Sequence, residues 1–237
     1  MRDYEARGAP RRRGRAQGEA CADLIRKRLE SQRDGETASP QSGGETRSRS
    51  RDPGVVTPGA AAESSAAGVR AAEALREAYP EGYEECLGIA EATRMPAETY
   101  FARAYPAGLA SLQCTVWAFR DPDGEPVIAK TDDLPLTEAG FNVTAAVRPN
   151  TGYAHRSLHF AGSIWTTAGM NEVGLAMGMT GIPGPDIDDT GGYFSLDLLH
   201  RVLPECGTVD EAIRLLDSVR LRTYGFSLTL SDADRRL

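Results

Sequence analysis

The sequence predicts an α+β protein in which a core of antiparallel strands is covered by helices. As far as Gly108 the chain has helical periodicity and no strand pattern, and from Ser111 onward short strand-like segments follow one another. Two further helices then precede a last strand. Because the strands are consecutive and not separated by helices, they predict a meander and not a βαβ arrangement. The 237 residues, 41% of them hydrophobic, suffice for one composite domain.

The first part of this domain is predicted to be helical and to extend over residues 1–113. Apolar residues at helical spacing predict helices over residues 14–30, 69–79, 82–93 and 97–105. Residues 31–68 contain almost no large apolar side chain, so we predict a flexible insertion that cannot bury enough surface to become ordered. The basic run between Arg2 and Arg15 is not followed by an apolar core, so we interpret it as a solvated tail and not as a secretory signal.

The second part, residues 114–237, is predicted to contain the sheet. Residues 114–119 and 127–129 are rich in strand formers and flank the turn sequence DPDGEP, which predicts a β-hairpin. Further strands are predicted over residues 143–147, 153–160, 163–168, 174–179 and 226–230, and helices over residues 193–203 and 209–219. Thr208, with Glu211 three residues later, predicts a capping box at the start of the last helix.

Charge and hydropathy exclude several classes of partner. The formal net charge of -7 disfavours a nucleic acid or an anionic membrane as partner, and is compatible with a small neutral or cationic substrate. No segment approaches the ~20 apolar residues of a membrane span, so we expect a soluble protein. Nothing in the sequence indicates an oligomeric state.

The chain contains four cysteines, and they predict neither a disulfide framework nor a zinc site. They lie far apart, form no CxxC pair and have no histidine at metal-ligand spacing, so a reducing, cytoplasmic location is expected. Cys21, Cys86 and Cys206 lie in helical patterns and are interpreted as small buried hydrophobic residues. His155 and His159 share one face of a strand, but two ligands alone do not predict a metal site. We expect no metal and no cofactor.

Cys114 begins the first strand of the hairpin and is the candidate nucleophile. Considered alone it is better explained as a buried strand cysteine, because free cysteine is among the most buried residue types. A thiol needs a base, since the thiolate is the reactive species. One hypothesis is a papain-like protease in which a histidine supplies that base. Another is that the α-amine of Cys114 itself is the base, which requires cleavage of the Gln113–Cys114 bond.

Four ordered segments resemble the penicillin acyltransferase family, the acyl-coenzyme A:6-aminopenicillanic acid acyltransferase-like enzymes. They are PEGYEECLGIAEATRMPAETY, CTVWAFRDPDGEPVIAKTDDLP, AGMNEVGLAMGMTGIPG and CGTVDEAIRLLDSV. The resemblance implies an N-terminal-nucleophile fold, an αββα sandwich of stacked antiparallel sheets between helical layers. It also implies a precursor that cuts itself before Cys114, and an amidohydrolase or acyltransferase acting on a small N-acylated molecule through an acyl-enzyme. The resemblance also allows acyl-coenzyme A as a co-substrate.

The resemblance also implies roles for individual residues. The family motif small-Arg-Asn-any-Asp falls on residues 129–133, which puts Asp133 at the aspartate position, expected to orient the new amine or hold the charge of the pocket. Supporting positions match Thr115, Lys130, Thr131, Asn171 and Thr180. Asn171 is interpreted first as a turn residue. Thr180 lies where relatives often supply an oxyanion-binding asparagine, so Thr180 or a backbone N–H is expected to take that role.

The chain departs from the family pattern at two further places. Gln113 stands before the nucleophile where many members have glycine, which eases the geometry of an N-to-S acyl shift. The sequence ends at Leu237, where relatives continue through further strands and helices, so a C-terminally truncated chain is expected. The alternative hypothesis is therefore a truncated, catalytically inactive paralogue or a fragment. Trp117 and Phe119 beside Cys114 are expected in the core first, and in the wall of an acyl pocket second.

Overall fold

The computed structural model describes residues 1–37, 60–105, 113–133, 140–182, 193–222 and 225–234, and has a mixed α+β architecture. The strands are β1 (Arg2–Gly8), β2 (Gln113–Arg120), β3 (Pro126–Asp133), β4 (Asn142–Pro149), β5 (His155–Phe160), β6 (Ala168–Asn171), β7 (Ala176–Ile182), β8 (Tyr193–Phe194), β9 (Leu221–Arg222) and β10 (Gly225–Ser231). The helices are α1 (Pro10–Thr37), α2 (Ala60–Ala78), α3 (Pro80–Ala92), α4 (Ala97–Thr99), α5 (Ser195–Glu205) and α6 (Val209–Asp217). A π-helical turn (Tyr100–Ala104) continues α4.

The strands form one six-stranded sheet and two small ones. The large sheet has the order β1-β4-β5-β6-β7-β10, and its strands from β4 onward are antiparallel neighbours, as the predicted meander requires. Strands β2 and β3 form the predicted hairpin, and β8 pairs in parallel with β9. The prediction of a strand over residues 163–168 is wrong, because β6 begins only at Ala168. The preceding segment is a buried loop in which the hydroxyl of Ser163 accepts a hydrogen bond from the backbone N–H of Trp165.

The prediction that no strand precedes Gly108 is also wrong. Residues Arg2–Gly8 form β1, which adds to the large sheet in parallel with β4, Tyr4 lying opposite Ala145. Local sequence could not indicate this strand, since Ala6 is its one fully buried residue and its partner is distant along the chain.

The basic N-terminal residues are not a solvated tail. Arg13 is buried, and its guanidinium nitrogens donate to the carboxylate of Glu85 at 2.7 and 3.1 Å. Arg11 and Arg15 both pair with Glu91 on the outer side of α3. These carboxylates lie more than 70 positions away in the sequence, so the composition of the N terminus alone suggested a free tail.

Helices α1 and α3 cross in close contact. A Cβ atom at Gly88 would lie 2.1 Å from the carbonyl oxygen of Arg11, so only glycine permits this backbone approach. The helix predicted over residues 14–30 is longer at both ends, since it begins at Pro10 and runs to Thr37.

The predicted insertion over residues 31–68 is helical at both ends. Residues 31–37 belong to α1 and residues 60–68 to α2, whereas residues 38–59 lie outside the described residues. Alanine is the strongest helix former, and the run at residues 60–62 begins α2 without large apolar side chains.

The two faces of the large sheet pack against different elements. One face packs on the helices, with Met177 and Met179 buried in a cluster that includes Ile25, Ile89 and Leu199. Position 178 alternates with Met177 and Met179 and therefore belongs to the opposite face of the sheet. A Cβ added to Gly178 would lie 3.0 Å from Ile128 and 3.3 Å from Val116 of the hairpin. The β2–β3 hairpin therefore lies against the face that the helices leave open.

Several smaller predictions are confirmed and one is wrong. The three cysteines other than Cys114 are buried, and the hydroxyl of Thr208 accepts from the backbone N–H of Glu211 at the start of α6. Trp117 and Phe119, expected in the core, are each 50% exposed, because alternation along β2 puts them on the outer face of the hairpin. None of the described helices combines the length and apolar character that a membrane crossing requires.

Candidate active site on the β2–β3 hairpin

Cys114 lies near the start of β2, on the side of the hairpin that faces the large sheet. In the hairpin register Cys114 is opposite Asp132, and Val116 is opposite Lys130. Because side chains alternate along a strand, Cys114, Lys130 and Asp132 share the face with which Val116 packs on Gly178. The hairpin thus brings one thiol, one ammonium and one carboxylate together between two sheets.

These three groups contact one another. The Sγ atom of Cys114 lies 3.4 Å from Oδ1 of Asp132 and 3.4 Å from Nζ of Lys130. Lys130 also forms an ion pair with Oδ1 of Asp132. The side chains of the pair are only 4% and 7% exposed, so little water competes for these contacts.

A fourth group reaches the site from the large sheet. Nδ2 of Asn142, the first residue of β4, donates to Oδ2 of Asp132 at 3.3 Å. Both oxygens of the carboxylate are therefore engaged, Oδ1 by the hairpin and Oδ2 by the sheet.

The surroundings of Cys114 act on its ionisation in opposite directions. Burial raises the pKa of the thiol, Lys130 lowers it, and the negative charge and hydrogen bond of Asp132 raise it again. The net effect is a raised pKa, so the thiol is protonated at neutral pH. A proton acceptor is needed before the sulfur can react, and Oδ1 of Asp132 occupies the corresponding position.

The aspartate expected at the site is not the one that contacts Cys114. Asp133 is exposed and lies opposite Gln113, whereas Asp132 faces the thiol. The sequence motif points to Asp133 by its spacing, but the period of two along a strand turns that side chain to the outer face. Thr115 and Thr131 lie opposite each other on the same outer face and are exposed.

Two other expected residues lie on β6 and β7. Asn171 is buried and donates to the carbonyl oxygens of Leu203 and Cys206 at 2.9 and 2.7 Å, so it joins the β6–β7 turn to the end of α5. Its Oδ1 also accepts from the backbone N–H groups of Val173 and Leu175, so its side chain closes the turn in which it is expected. Thr180, two residues beyond Gly178, lies on the sheet face that the hairpin covers, opposite Ser227.

The histidines lie on the other side of the large sheet. His155 and His159 are buried on the face that the helices cover, together with His200 of α5. His159 contacts the hydroxyl of Tyr4 at 2.9 Å, and the partners of Cys114 are Lys130 and Asp132. This arrangement does not support the papain-like alternative.

The family motif over residues 129–133 gives Asp132 no role, and it does not extend to Asn142. The hairpin register alone could have indicated Asp132, since counting from the turn puts it opposite Cys114. No local signal could have indicated Asn142, which belongs to another sheet. Among the residues that the structure describes, no group of three or more His, Cys, Asp or Glu is arranged to hold a metal ion.

Comparison with protein families and known proteins gives a family match. The model of the family described as acyl-coenzyme A:6-aminopenicillanic acid acyl-transferase matches residues 119–237, which is half of the chain. The match begins at Phe119, on the same strand as Cys114 and after it. No match was found among curated proteins.

Among solved structures, the chain is similar to penicillin V acylase from Agrobacterium tumefaciens, with 23% sequence identity and a TM-score of 0.29. The similarity covers 52% of this chain and 36% of the acylase chain. The chain therefore spans about a third of the length of the solved structure that it matches.

Proposed function

Because the chain belongs to the acyl-coenzyme A:6-aminopenicillanic acid acyl-transferase family, we propose that it is a self-processing cysteine amidohydrolase or acyltransferase. Its nucleophile is Cys114, and its substrate is the amide bond of a small N-acylated molecule. The observation that carries the proposal is the contact of the Cys114 sulfur with Asp132 and Lys130 beside the Gln113–Cys114 bond.

Maturation in this proposal begins with the thiol of Cys114. Its proton passes to Asp132, the sulfur attacks the carbonyl carbon of Gln113, and the bond from that carbon to the nitrogen of Cys114 breaks as the nitrogen takes up a proton. Water then hydrolyses the thioester, which leaves a carboxylate on Gln113 and a free thiol and amine on Cys114. Lys130 favours the sulfur anion because its ammonium lies 3.4 Å away.

Turnover uses the amine released by this cut. The α-amine of Cys114 accepts the thiol proton, the sulfur attacks the substrate carbonyl, and the leaving amine takes the proton. The acyl group then passes from the sulfur to water or to another amine. In the oxyanion-binding role we propose Thr180 or a backbone N–H, since Thr180 lies on the covered sheet face.

The proposed architecture is that of the αββα sandwich. Support comes from the packing of the hairpin on the large sheet at Gly178, with the helices on the far face. The hairpin and the large sheet would be the two inner layers.

The proposed partners follow from charge. A net charge of -7 favours a small neutral or cationic amide over a nucleic acid or an anionic membrane. Acyl-coenzyme A is the proposed acyl donor if the enzyme transfers and does not hydrolyse. The proposed location is the cytoplasm, since widely spaced cysteines are typical of a reducing compartment.

Intact mass spectrometry tests the proposal. The purified chain should separate under denaturing conditions into residues 1–113 and 114–237, and Cys114→Ala should remain whole and inactive on a panel of chromogenic N-acyl amides. Cys21→Ala is the matched control, since it removes a thiol buried in the core between the helices and the large sheet, on the other face from the hairpin, and should still be cut. A folded wild-type chain that stays uncut on prolonged incubation would contradict the proposal.

A further inference from the structure

We propose that Asn142 is a positioning residue that holds the carboxylate of Asp132 in the orientation that the Cys114 site needs. The inference rests on the proposed function to the extent that Cys114 is the nucleophile. Asn142 itself touches neither the sulfur nor the scissile bond; it acts through Asp132.

The hydrogen bonds of the carboxylate define this role. Oδ1 of Asp132 faces both the sulfur of Cys114 and the ammonium of Lys130. Oδ2 receives the amide N–H of Asn142 at 3.3 Å. The terminal torsion of an aspartate is broad, so a carboxylate held through one oxygen can rotate about its Cβ–Cγ bond. A second contact on Oδ2 restricts that rotation and keeps Oδ1 directed at the thiol.

The contact of Asn142 with Oδ2 of Asp132 is important because the Lys130–Asp132 ion pair is almost inaccessible to water. The side chain of Asp132 is 7% exposed, so water can hardly replace the amide as donor to Oδ2. A buried carboxylate oxygen without a donor is unfavourable, and the carboxylate would then turn toward any other donor within reach.

The position of Asn142 is determined by the large sheet. Val143, the next residue of β4, is fully buried against the helices. Alternation along the strand therefore directs Asn142 to the opposite face, where the hairpin lies. The donor is anchored in one sheet and the nucleophile in another, so this bond also ties the site to the packing of the two sheets.

The pH dependence of Cys114 alkylation by iodoacetamide tests the proposal, with each labelled cysteine identified by peptide mass spectrometry. The labelled peptide either runs across the Gln113–Cys114 bond or begins at Cys114, so variants are compared in the same state, uncut with uncut or cut with cut. Asn142→Leu keeps a side chain of similar size without the donor, and Asn142→Gln restores an amide. Thr144→Val is the matched control, because Thr144 lies two residues along the same face and contacts Asp3.

Asn142→Leu should move the midpoint of the alkylation profile to lower pH, because the carboxylate that raises the pKa of the thiol is no longer held beside it. At neutral pH the rate should rise about fivefold, the factor that corresponds to one typical hydrogen bond, while self-cleavage slows. Asn142→Gln should bring the midpoint part of the way back to the wild-type pH, and Thr144→Val should leave it unchanged.

The three buried cysteines report on general unfolding. If Asn142→Leu also exposes Cys21, Cys86 and Cys206, the smaller variant Asn142→Ser replaces it in the comparison. A midpoint equal to that of the wild type in the folded variant would overturn the proposal.

The intact mass of the same samples keeps this result separate from the proposed function. A wild-type chain that is cut, together with an unchanged midpoint in Asn142→Leu, rejects the role of Asn142 alone. An uncut wild-type chain with a lower midpoint in Asn142→Leu rejects self-processing and supports the role of Asn142.

Discussion

The ammonium of Lys130 lies 3.4 Å from the sulfur of Cys114 and is ion-paired with Asp132 in the space between the hairpin and the large sheet. The same ammonium therefore contacts both the carboxylate of Asp132 and the sulfur that becomes a thiolate in the proposed reaction.

Replacing Lys130 should suppress thiolate formation. Lys130→Met removes the charge that lowers the pKa of Cys114, so the alkylation midpoint should move to higher pH. The rate at neutral pH should fall about tenfold for every pH unit by which the midpoint rises. Lys130→Arg keeps the charge and should stay closer to the wild type. A melting curve must accompany the measurement, since Lys130→Met leaves the Asp132 carboxylate without its ion pair. An unchanged midpoint in a folded Lys130→Met chain would show that Lys130 has no influence on the thiol.

The two adjacent aspartates should differ sharply in self-cleavage. Asp132→Asn removes the proton acceptor beside Cys114 and should slow the cut by about a hundredfold or more, the range of general-base contributions. Asp133→Asn changes an exposed side chain on the outer face and should leave the rate near that of the wild type. The measurement is the half-life of the uncut chain by intact mass. If Asp133→Asn slowed the cut and Asp132→Asn did not, the catalytic role would belong to Asp133 and not to Asp132.

The ion pair of Arg13 and Glu85 should contribute strongly to stability. Arg13→Met leaves the Glu85 carboxylate buried without its main partner, which should lower the free energy of unfolding by about 3–5 kcal/mol. Urea unfolding measures this loss. Arg7→Met is the control, because the Arg7–Glu5 pair is exposed and should contribute less than about 1 kcal/mol. Equal losses in the two variants would contradict the importance of burial.

Stability should fall as the pH drops from about 6.5 toward 4. Burial lowers the pKa of both His155 and His159 from 6.5 to about 4, so the folded state binds these protons less readily than the unfolded state. Their contribution is complete above pH 6.5 and is lost as the solution becomes more acidic, with a slope of up to about 1.4 kcal/mol per pH unit for each group. Glu85 acts in the same direction only at lower pH, since burial raises its pKa but Arg13 and His200 outweigh this and lower it to about 2.

Urea unfolding at pH 7, 6 and 5 checks this window. The double variant His155→Gln/His159→Gln should show a flatter dependence, whereas Thr115→Ala, on the exposed face of the hairpin, should keep the slope of the wild type. A wild-type free energy of unfolding that stays constant over this window would refute the assignment.

The hairpin could be predicted because its determinants are local. Strand formers flank the sequence DPDGEP, and the backbone N–H of Asp123 and that of Glu125 both donate to the side chain of Asp121 in the turn. The register of this hairpin determines that Asp132, and not Asp133, lies opposite Cys114. A motif spacing taken from relatives carries no information about that register. The position of the proposed nucleophile, Cys114, could be predicted from one strand, whereas its contact with Asp132 depends on how the two strands pair.

The features that escaped prediction depend on residues far apart in the sequence. The polar strand β1 becomes recognisable only beside β4, and the arginines of α1 become buried only against the carboxylates of α3. Asn142 meets Asp132 because two sheets stack, which no periodicity within either strand encodes. Each of these contacts is a tertiary effect that local propensity does not describe.

The parallel pairing of β1 with β4 gives the proposed cut a definite outcome. β1 precedes Gln113 and β4 follows Cys114, so seven residue pairs bridge the two products. Gln17 adds another contact between the two products, since its amide donates to the carbonyl oxygen of Ser163 at 3.1 Å. Breaking one peptide bond would therefore leave a two-chain protein that elutes as a single species under native conditions. Its N-terminal chain would be a permanent subunit, and not a propeptide to be discarded.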